Sequence, residues 1–257
     1  MAQHTTDRWK KRRPVVIEGE PELSESAAVE HEVHHPALQH HFENLEQQRE
    51  AGTLGMWVFL VTEIMFFGGM FFAYTLYRSQ YGLAFASASN HLDWKLGAFN
   101  TAVLIFSSFT MAYAVYSVQI GKQRRTIVSL IVTIILGLTF LGVKAVEYHD
   151  KYRDHLIPGR LIPGHNFDPS HVHLLPGASA QNVEIFYWIY FAMTGMHFLH
   201  MVIGLVILCL FLRPAVKDRF TQGNFVPVEI LGLYWHFVDV IWIFLFPLLY
   251  LIDRSHQ

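Results

Sequence analysis

The sequence predicts an all-α fold, a polytopic membrane helix bundle with five transmembrane helices. Of its 257 residues, 52% are hydrophobic and only 16% are charged, which is typical of membrane proteins. A bilayer core of about 30 Å needs roughly 20 helical residues to cross. Apolar runs of that length occur at the following approximate positions: 53–77, 97–119, 126–147, 185–212 and 228–252.

Residues 1–50 form a polar tail before the first run. Basic residues lie between Arg8 and Arg13 but no apolar segment follows them, so this is not the pattern of a cleavable signal peptide. The tail also carries histidines that could bind a metal, although a solvated segment offers no fixed scaffold for one: His31, His34, His35, His40 and His41. We therefore expect 51–253 to form the membrane domain, with the tail in water.

The five runs differ in the polar residues that they contain. The first holds Glu63 in an otherwise apolar stretch, and the third ends at Lys144 and Glu147, which are close enough in sequence to pair or to reach the membrane interface separately. The fourth contains Cys209, the sole cysteine, which excludes an internal disulfide. Pro247 lies near the end of the fifth run, so no helix is broken mid-membrane in the way expected of a transporter substrate site.

The distribution of Lys and Arg predicts the orientation, because cytoplasmic segments are enriched in them. The tail and the segments around Arg124 and Lys217 carry about twice as many basic residues as the segments on the opposite side. We expect a cytoplasmic N-terminus, an external C-terminus and a long external loop at 148–184. The loop's five histidines could bind a metal, but a loop that packs on a partner fits better because no carboxylate or Cys lies at ligand spacing.

Glu63 is the most informative residue of the first run. At 1.5 Å per residue it lies about 15 Å deep, where a charge is costly. Its aromatic neighbours favour a protonated acid unless a donor stabilises the anion. Small residues on an adjacent strip, Gly55, Thr62 and Gly69 among them, predict that a neighbouring helix approaches there.

Polar residues also follow helical spacing in the last two runs. Thr194, His197, His200 and Gly204 share one face, as do Glu229, Gly232, His236 and Asp239. The rise per residue places Glu63, His200 and His236 at about the same depth. Three interpretations remain open: a His/carboxylate metal site, bis-His haem ligation, or an interhelical polar network without a cofactor. The predicted members of the network are His197, His200, Glu229, Tyr234, His236, Asp239 and Glu147.

The remaining expectations concern surfaces and excluded classes. Arg213 ends the fourth run on the predicted cytoplasmic side, where it could meet a lipid phosphate, and Trp57 and Trp235 are candidate lipid contacts. A formal net charge of −2 does not suggest a nucleic-acid partner. The sequence contains no phosphate-binding loop, nucleophile elbow or cysteine pair, so no catalytic residue is predicted.

Four blocks, in order, resemble subunit III of the haem-copper oxidases, in its five-helix bacterial form. They are LGMWVFLVTEIMFFGGMFFAY (54–74), EY (147–148), TGMHFLHMVIG (194–204) and YWHFVDVIWIFLFPLLY (234–250). The resemblance implies a subunit without haem or copper of its own, with those groups in partner subunits. It implies contact with subunits I and II, bound phospholipid, and support of proton uptake. It also makes Glu63 the counterpart of the family's carbodiimide-reactive buried carboxylate.

The expected function is therefore that of a non-redox subunit in a proton-pumping terminal oxidase of a bacterial cytoplasmic membrane, supplied by cytochrome c. The hypothesis for Glu63 is that it is protonated or hydrogen-bonded to His197 or His200. The alternatives are an accessory subunit of a quinol oxidase or of a nitric oxide reductase, and a small transporter that uses Glu63 as a proton site.

Overall fold

The computed structural model describes residues 45–159, 167–216 and 226–252. Over these residues all regular structure is helical, with six α-helices and a 3₁₀ turn at Pro169–His171. The helices are α1 (Leu45–Gln80), α2 (Gly82–Asn90), α3 (Trp94–Gln119), α4 (Gln123–Arg153), α5 (Ala180–Val216) and α6 (Val226–Tyr250). Most of the predicted polar tail lies outside the described residues.

Five of these helices, α1 and α3 to α6, are long and apolar enough to cross a membrane, which confirms the predicted number of spans. Most of their ends extend beyond the apolar runs. Helix α4 continues to Arg153 and α5 begins at Ala180, so the connection predicted as 148–184 is shorter than expected. Polar residues continue the backbone hydrogen bonds of each helix beyond its apolar run, and a count of apolar residues does not detect this extension.

The helices alternate in direction. We name the end of the bundle at which α1 begins the N-side and the opposite end the C-side. Pairs across the bundle fix the arrangement: Gln119 contacts Glu229 near the N-side, and Gly97 meets Phe246 near the C-side. Helix α3 packs against α4 and α6, and α5 packs against α4 and α6. The centre contains the fully buried aromatic residues Phe140, Trp235 and Trp242.

Helix α1 lies at the edge of this bundle. It is buried mainly through a row of large side chains at two-turn spacing, Leu60, Phe67 and Tyr74. No helix of this chain approaches along the small residues, because a Cβ added at Gly55 or Gly69 would meet nothing within 4 Å. The aromatic face offers more contact area, so α1 packs through it and leaves the small strip outward.

Helix α2 was not predicted from the sequence. Its nine residues include six that are buried, and its Ser87 hydroxyl accepts a hydrogen bond from the backbone N–H of Leu175 at 3.0 Å. Phe85 stacks edge-on against Tyr74 and Phe186, so α2 fills the C-side space between α1 and α5. A short Ala- and Ser-rich helix carries neither the length of a span nor a clear periodicity, so its sequence gives no signal.

Candidate functional site

Glu63 lies beside His200, on the surface where α1 meets α5. The Oε2 atom of Glu63 is 3.2 Å from Nε2 of His200, and the two side chains are 19% and 10% exposed. The contact is close, but Oε2 does not make a hydrogen bond of good geometry. The structure therefore brings Glu63 to one of the two histidines named for it, His200, and not to His197.

The other ring nitrogen of His200 determines what this pair can do. Nδ1 lies 2.8 Å from the carbonyl oxygen of Met196, which can only accept, so Nδ1 carries a proton. Nε2 and the Glu63 carboxyl are then close enough to share one further proton. Its two positions give a neutral acid beside a neutral imidazole, or a carboxylate beside an imidazolium. Both arrangements have the same net charge, so the proton can move without adding a charge to the membrane interior.

A cavity of about 520 Å³ opens beside this pair, between α1, α5 and α6. It extends from Phe211 and Pro227 on the N-side to Glu63, His200 and Tyr234 at mid-depth. Tyr234 donates to the backbone carbonyl of His200 at 2.9 Å, which ties α6 to α5 at the inner end. The remaining wall is apolar: Met56, Phe59, Leu199, Ile203, Ile207, Ile230 and Leu231. Such a wall suits a hydrocarbon chain.

A second group of buried polar residues lies toward the C-side. Lys144 and Glu147, 1% and 4% exposed, form an ion pair with Nζ to Oε2 at 2.9 Å. Glu147 Oε1 also accepts from Tyr190 at 2.8 Å and from Tyr250 at 2.5 Å. The pair is therefore enclosed by the bundle, and Lys144 does not reach the membrane interface.

The N-side carries a third polar group, in a crevice of about 410 Å³ between α1, α3 and α6. Glu229 accepts from Gln119 at 2.6 Å and lies 4.0 Å from the guanidinium of Arg49. Deeper in, Nδ1 of His236 lies 2.6 Å from the hydroxyl of Ser108. Both Glu229 and His236 line the crevice.

Two predicted network residues have no hydrogen-bond partner. His197, 1% exposed, packs its ring against Phe140 and Trp242, and both its ring nitrogens are without partners. Asp239, 2% exposed, has no partner at either carboxyl oxygen. The single network expected from helical spacing is thus divided into separate groups, because residues 60° apart on a helix face different neighbours in a bundle.

Of the three predicted lipid contacts, one is buried and two are exposed. Trp235 is 0% exposed and donates from Nε1 to Ser107 at 3.0 Å, so its prediction as a lipid contact is wrong. The sequence could not show that its ring fills the space left by Gly137 and Gly204 on the neighbouring helices. Trp57 is 54% exposed on α1, and Arg213 is exposed near the end of α5.

Sequence reasoning missed several partners in these groups, namely Ser108, Gln119, Tyr190 and Tyr250. Tyr190 and Tyr250 look like ordinary interfacial aromatic residues in the sequence. A signal was available for them, because Lys144 and Glu147 within an apolar helix need donors and acceptors from neighbouring helices. Among the described residues, no group of three or more His, Cys, Asp and Glu side chains is arranged to hold a metal ion.

The fold and these groups define a class: a multi-pass membrane helix bundle whose polar interior is made of paired acids, bases and phenols. Comparison with known proteins identifies the family. The family model for cytochrome c oxidase subunit III matches residues 38–153 and 179–253, and the unmatched stretch covers most of the α4–α5 connection. The chain belongs to this family, and is thus a non-catalytic subunit III of a haem-copper oxidase.

Individual relatives agree with this assignment. Cytochrome c oxidase subunit 3 of Latimeria chalumnae is 31% identical over 204 residues, which are 76% of this chain and 67% of the relative. The same subunit of Danio rerio is 31% identical over the same shares. A probable quinol oxidase subunit 3 of Staphylococcus saprophyticus is 29% identical over 222 residues, 84% of this chain and 97% of the relative.

Proposed function

We propose that this chain is subunit III of a cytochrome c oxidase in a bacterial cytoplasmic membrane, with its N-terminus in the cytoplasm. In this proposal subunits I and II carry the haem and copper groups, reduce oxygen and pump protons, while this chain packs against them. The observation that carries it is the family match, which covers all five membrane spans and is interrupted between α4 and α5.

The electron donor is the finer part of the proposal. Cytochrome c is the donor in the names of the family and of most relatives reported above, and it is our first choice. A quinol is the second candidate, because the staphylococcal relative matches over nearly its whole length. A nitric oxide reductase partner is the third possibility that the experiment below must distinguish.

For this chain itself we propose two supporting activities. The first is to hold phospholipid, with an acyl chain in the apolar cavity and the headgroup toward the N-side, where Arg213 is a candidate phosphate contact. The second is to support proton uptake by the partner subunit through the proton shared by Glu63 and His200. The cavity ends at this pair, so a bound chain would also keep bulk water away from it.

Purification through a tag on this chain in mild detergent tests the assembly. The expected result is co-purification of subunits I and II, haem bands in the reduced-minus-oxidised spectrum, and oxidation of reduced cytochrome c but not of quinol. Preferential oxidation of quinol would replace the first donor with the second. Nitric oxide reduction, or a colourless protein without partners, would contradict the proposal.

The Glu63→Gln variant tests the supporting role. Gln keeps the size and can donate to Nε2 of His200, but it cannot share a proton with it. We expect an assembled oxidase that loses activity faster during turnover and is no longer labelled by a hydrophobic carbodiimide. Glu50→Gln, at an exposed position of the same helix, is the matched control. Unchanged turnover lifetime and labelling in Glu63→Gln would contradict the role.

A further inference from the structure

The N-side crevice between α1, α3 and α6 has no role in the proposed function. Its volume of about 410 Å³ is within the range of sites that bind small molecules. Such sites combine an apolar wall with a few polar groups in fixed positions. The crevice has this composition, with Glu229 at its outer end and His236 at its inner end.

The wall between these two ends is largely apolar, and several of its side chains are small. Its residues come from all three helices: Thr53, Ala112, Val115, Ile230, Gly232 and Leu233. Water gains few hydrogen bonds along such a wall, whereas an apolar ligand body removes the wall from water. The crevice therefore suits a compact molecule with an apolar body and a polar group at each end.

His236 supplies the polar group at the inner end. Its Nδ1 lies 2.6 Å from the Ser108 hydroxyl, and its Nε2 has no hydrogen-bond partner within the part of the chain that the structure describes. A neutral imidazole has one donor and one acceptor nitrogen, and a hydroxyl can complement either form of Nδ1. Nε2 of His236 is therefore able to donate to a ligand oxygen or to accept from it.

Glu229 supplies the polar group at the outer end, and its side chain is 25% exposed. Its Oε1 accepts from Gln119 at 2.6 Å, and its Oε2 lies 4.0 Å from the guanidinium of Arg49. A carboxylate has about four lone-pair sites and no donor. Glu229 thus retains the capacity to accept from a ligand, and a ligand oxygen that faces it must carry a hydrogen.

The distance between the two polar groups sets the size of the ligand. Glu229 and His236 are separated by two turns of α6, which places them on one face and about 10 Å apart along the helix axis. Two hydrogen bonds of about 2.8 Å each leave about 5 Å between the two oxygens of the ligand. Para hydroxyl groups on one benzene ring have this separation. A rigid ring also loses little conformational entropy on binding.

We propose that this crevice binds a hydroquinone with an apolar tail, whose outer hydroxyl donates to Glu229 and whose inner hydroxyl is hydrogen-bonded to Nε2 of His236. The ring lies against Val115 and Leu233, and the tail lies in the bilayer. The proposal concerns binding alone and includes no electron transfer. It goes beyond the proposed function, because it involves neither the Glu63 cavity nor the donor that the partner subunits use.

The carboxylate at the outer end makes the site selective for the reduced ring. A quinone has a carbonyl oxygen at each position, so one of them would face the Glu229 carboxylate with no hydrogen between them. The dimethyl ether of the hydroquinone has the same ring and likewise no donor. Both compounds should bind at least about tenfold more weakly than the hydroquinone, because each loses a hydrogen bond to a charged group.

Equilibrium binding to the full chain in lipid nanodiscs tests the proposal. The probe is a decyl-substituted benzohydroquinone, kept reduced in the absence of oxygen, and the comparison compounds are its quinone and its dimethyl ether. Empty nanodiscs of the same lipid correct for partition into the bilayer. The expected result is saturable binding of one hydroquinone per chain, at least about tenfold tighter than the binding of either comparison compound.

A variant that fills the crevice locates the site. Ala112→Phe places a ring in the space of the ligand and leaves both polar groups in position, so saturable binding should be lost. Ala112 is exposed, and the larger side chain therefore does not disturb the core. Ala102→Phe is the matched control, because Ala102 is an exposed alanine of the same helix that does not line the crevice. It should bind the hydroquinone as the unmodified chain does.

Two further variants distinguish the two polar ends. Glu229→Gln replaces an acceptor with an amide that both donates and accepts, so the preference for hydroquinone over quinone should be lost. His236→Leu removes the inner group and should weaken the binding of both forms by about fivefold, with the preference retained. Glu50→Gln, at an exposed position of α1, is the control for the change in charge and should alter neither the affinity nor the preference.

Several results would overturn the proposal. One is the absence of saturable binding above that of empty nanodiscs, which would mean that the crevice holds only water. Others are equal affinities for the three compounds, equal binding by Ala112→Phe and Ala102→Phe, and an unchanged preference in Glu229→Gln. These measurements require neither oxidase activity nor the partner subunits, so failure here is distinguishable from failure of the proposed function.

Discussion

Removal of one member of the Lys144–Glu147 pair should lower the free energy of unfolding by far more than the loss of a single contact would. In Glu147→Gln, the ammonium group of Lys144, 1% exposed, keeps only neutral acceptors, among them the phenol oxygens of Tyr190 and Tyr250 at 3.2 and 3.0 Å. An uncompensated buried charge costs about 3 to 5 kcal/mol. Aromatic rings 5.1 to 5.6 Å from Nζ partly stabilise the cation. We therefore expect a loss of about 3 kcal/mol in the free energy of unfolding, at the lower end of this range.

The opposite change should cost less. In Lys144→Met, Glu147 keeps two phenol donors, at 2.8 and 2.5 Å, and can become neutral by binding a proton, so we expect about 2 kcal/mol. The double variant leaves no charge behind, and its loss of stability should be about 2 kcal/mol or less instead of the sum of about 5.

Equilibrium unfolding in mixed detergent micelles, followed by tryptophan fluorescence and circular dichroism, measures these differences. Lys95→Met, an exposed lysine on α3, serves as the control and should change stability by less than about 0.5 kcal/mol. Additive losses in the double variant, or a loss below about 1 kcal/mol in Glu147→Gln, would refute the reasoning because the pair would then not be an electrostatic unit.

Two further predictions concern packing and pH. Gly204→Leu should destabilise the bundle by about 1 to 3 kcal/mol in the same unfolding assay, since even a Cβ there lies 3.0 to 3.1 Å from the rings of Tyr234 and Trp235. Gly142→Leu is the control and should not destabilise the bundle, because a Cβ at Gly142 meets open space. Equal losses of stability in the two variants would refute the packing argument. His91 lies between α2 and α3, where burial and then Lys151 lower its pKa, although Asp154 opposes them. Below pH 6.5, the ordinary pKa of a histidine, the unfolded chain therefore binds a proton at His91 more readily than the folded chain does. Stability should fall as the pH falls below that value, and His91→Gln should weaken this dependence. The same slope of stability against pH in both proteins would contradict it.

The fold was largely predictable because the bilayer imposes a length on each span. Hydrophobic runs near 20 residues give the number and order of the helices without any knowledge of their packing. Helix α2 follows no such rule, since its stability comes from burial against Phe186 and Tyr74 rather than from a pattern of its own. Packing against residues distant in sequence is what a single sequence does not reveal.

The polar residues were predictable as important but not as partners. Depth in the membrane identified Glu63, His200 and His236, because a polar group there must be satisfied. Which group satisfies it depends on helix rotation, and a rotation of 60° separates His197 from His200. The rotation of α1 was inferred from its small residues, whereas Phe67 and Tyr74 determine it, so the choice between His197 and His200 required the structure.

The interior therefore contains acids that differ in the groups that surround their carboxyl oxygens. Glu63 Oε2 lies 3.2 Å from Nε2 of His200, beside the apolar cavity that both residues line. Glu147 has a permanent cation and two phenol donors, and it needs no proton at all. Asp239 has neither, and both of its carboxyl oxygens are buried without a hydrogen-bond partner. The role in proton uptake that we propose for this non-catalytic subunit therefore depends on Glu63 and His200, which are the acid and base beside the cavity.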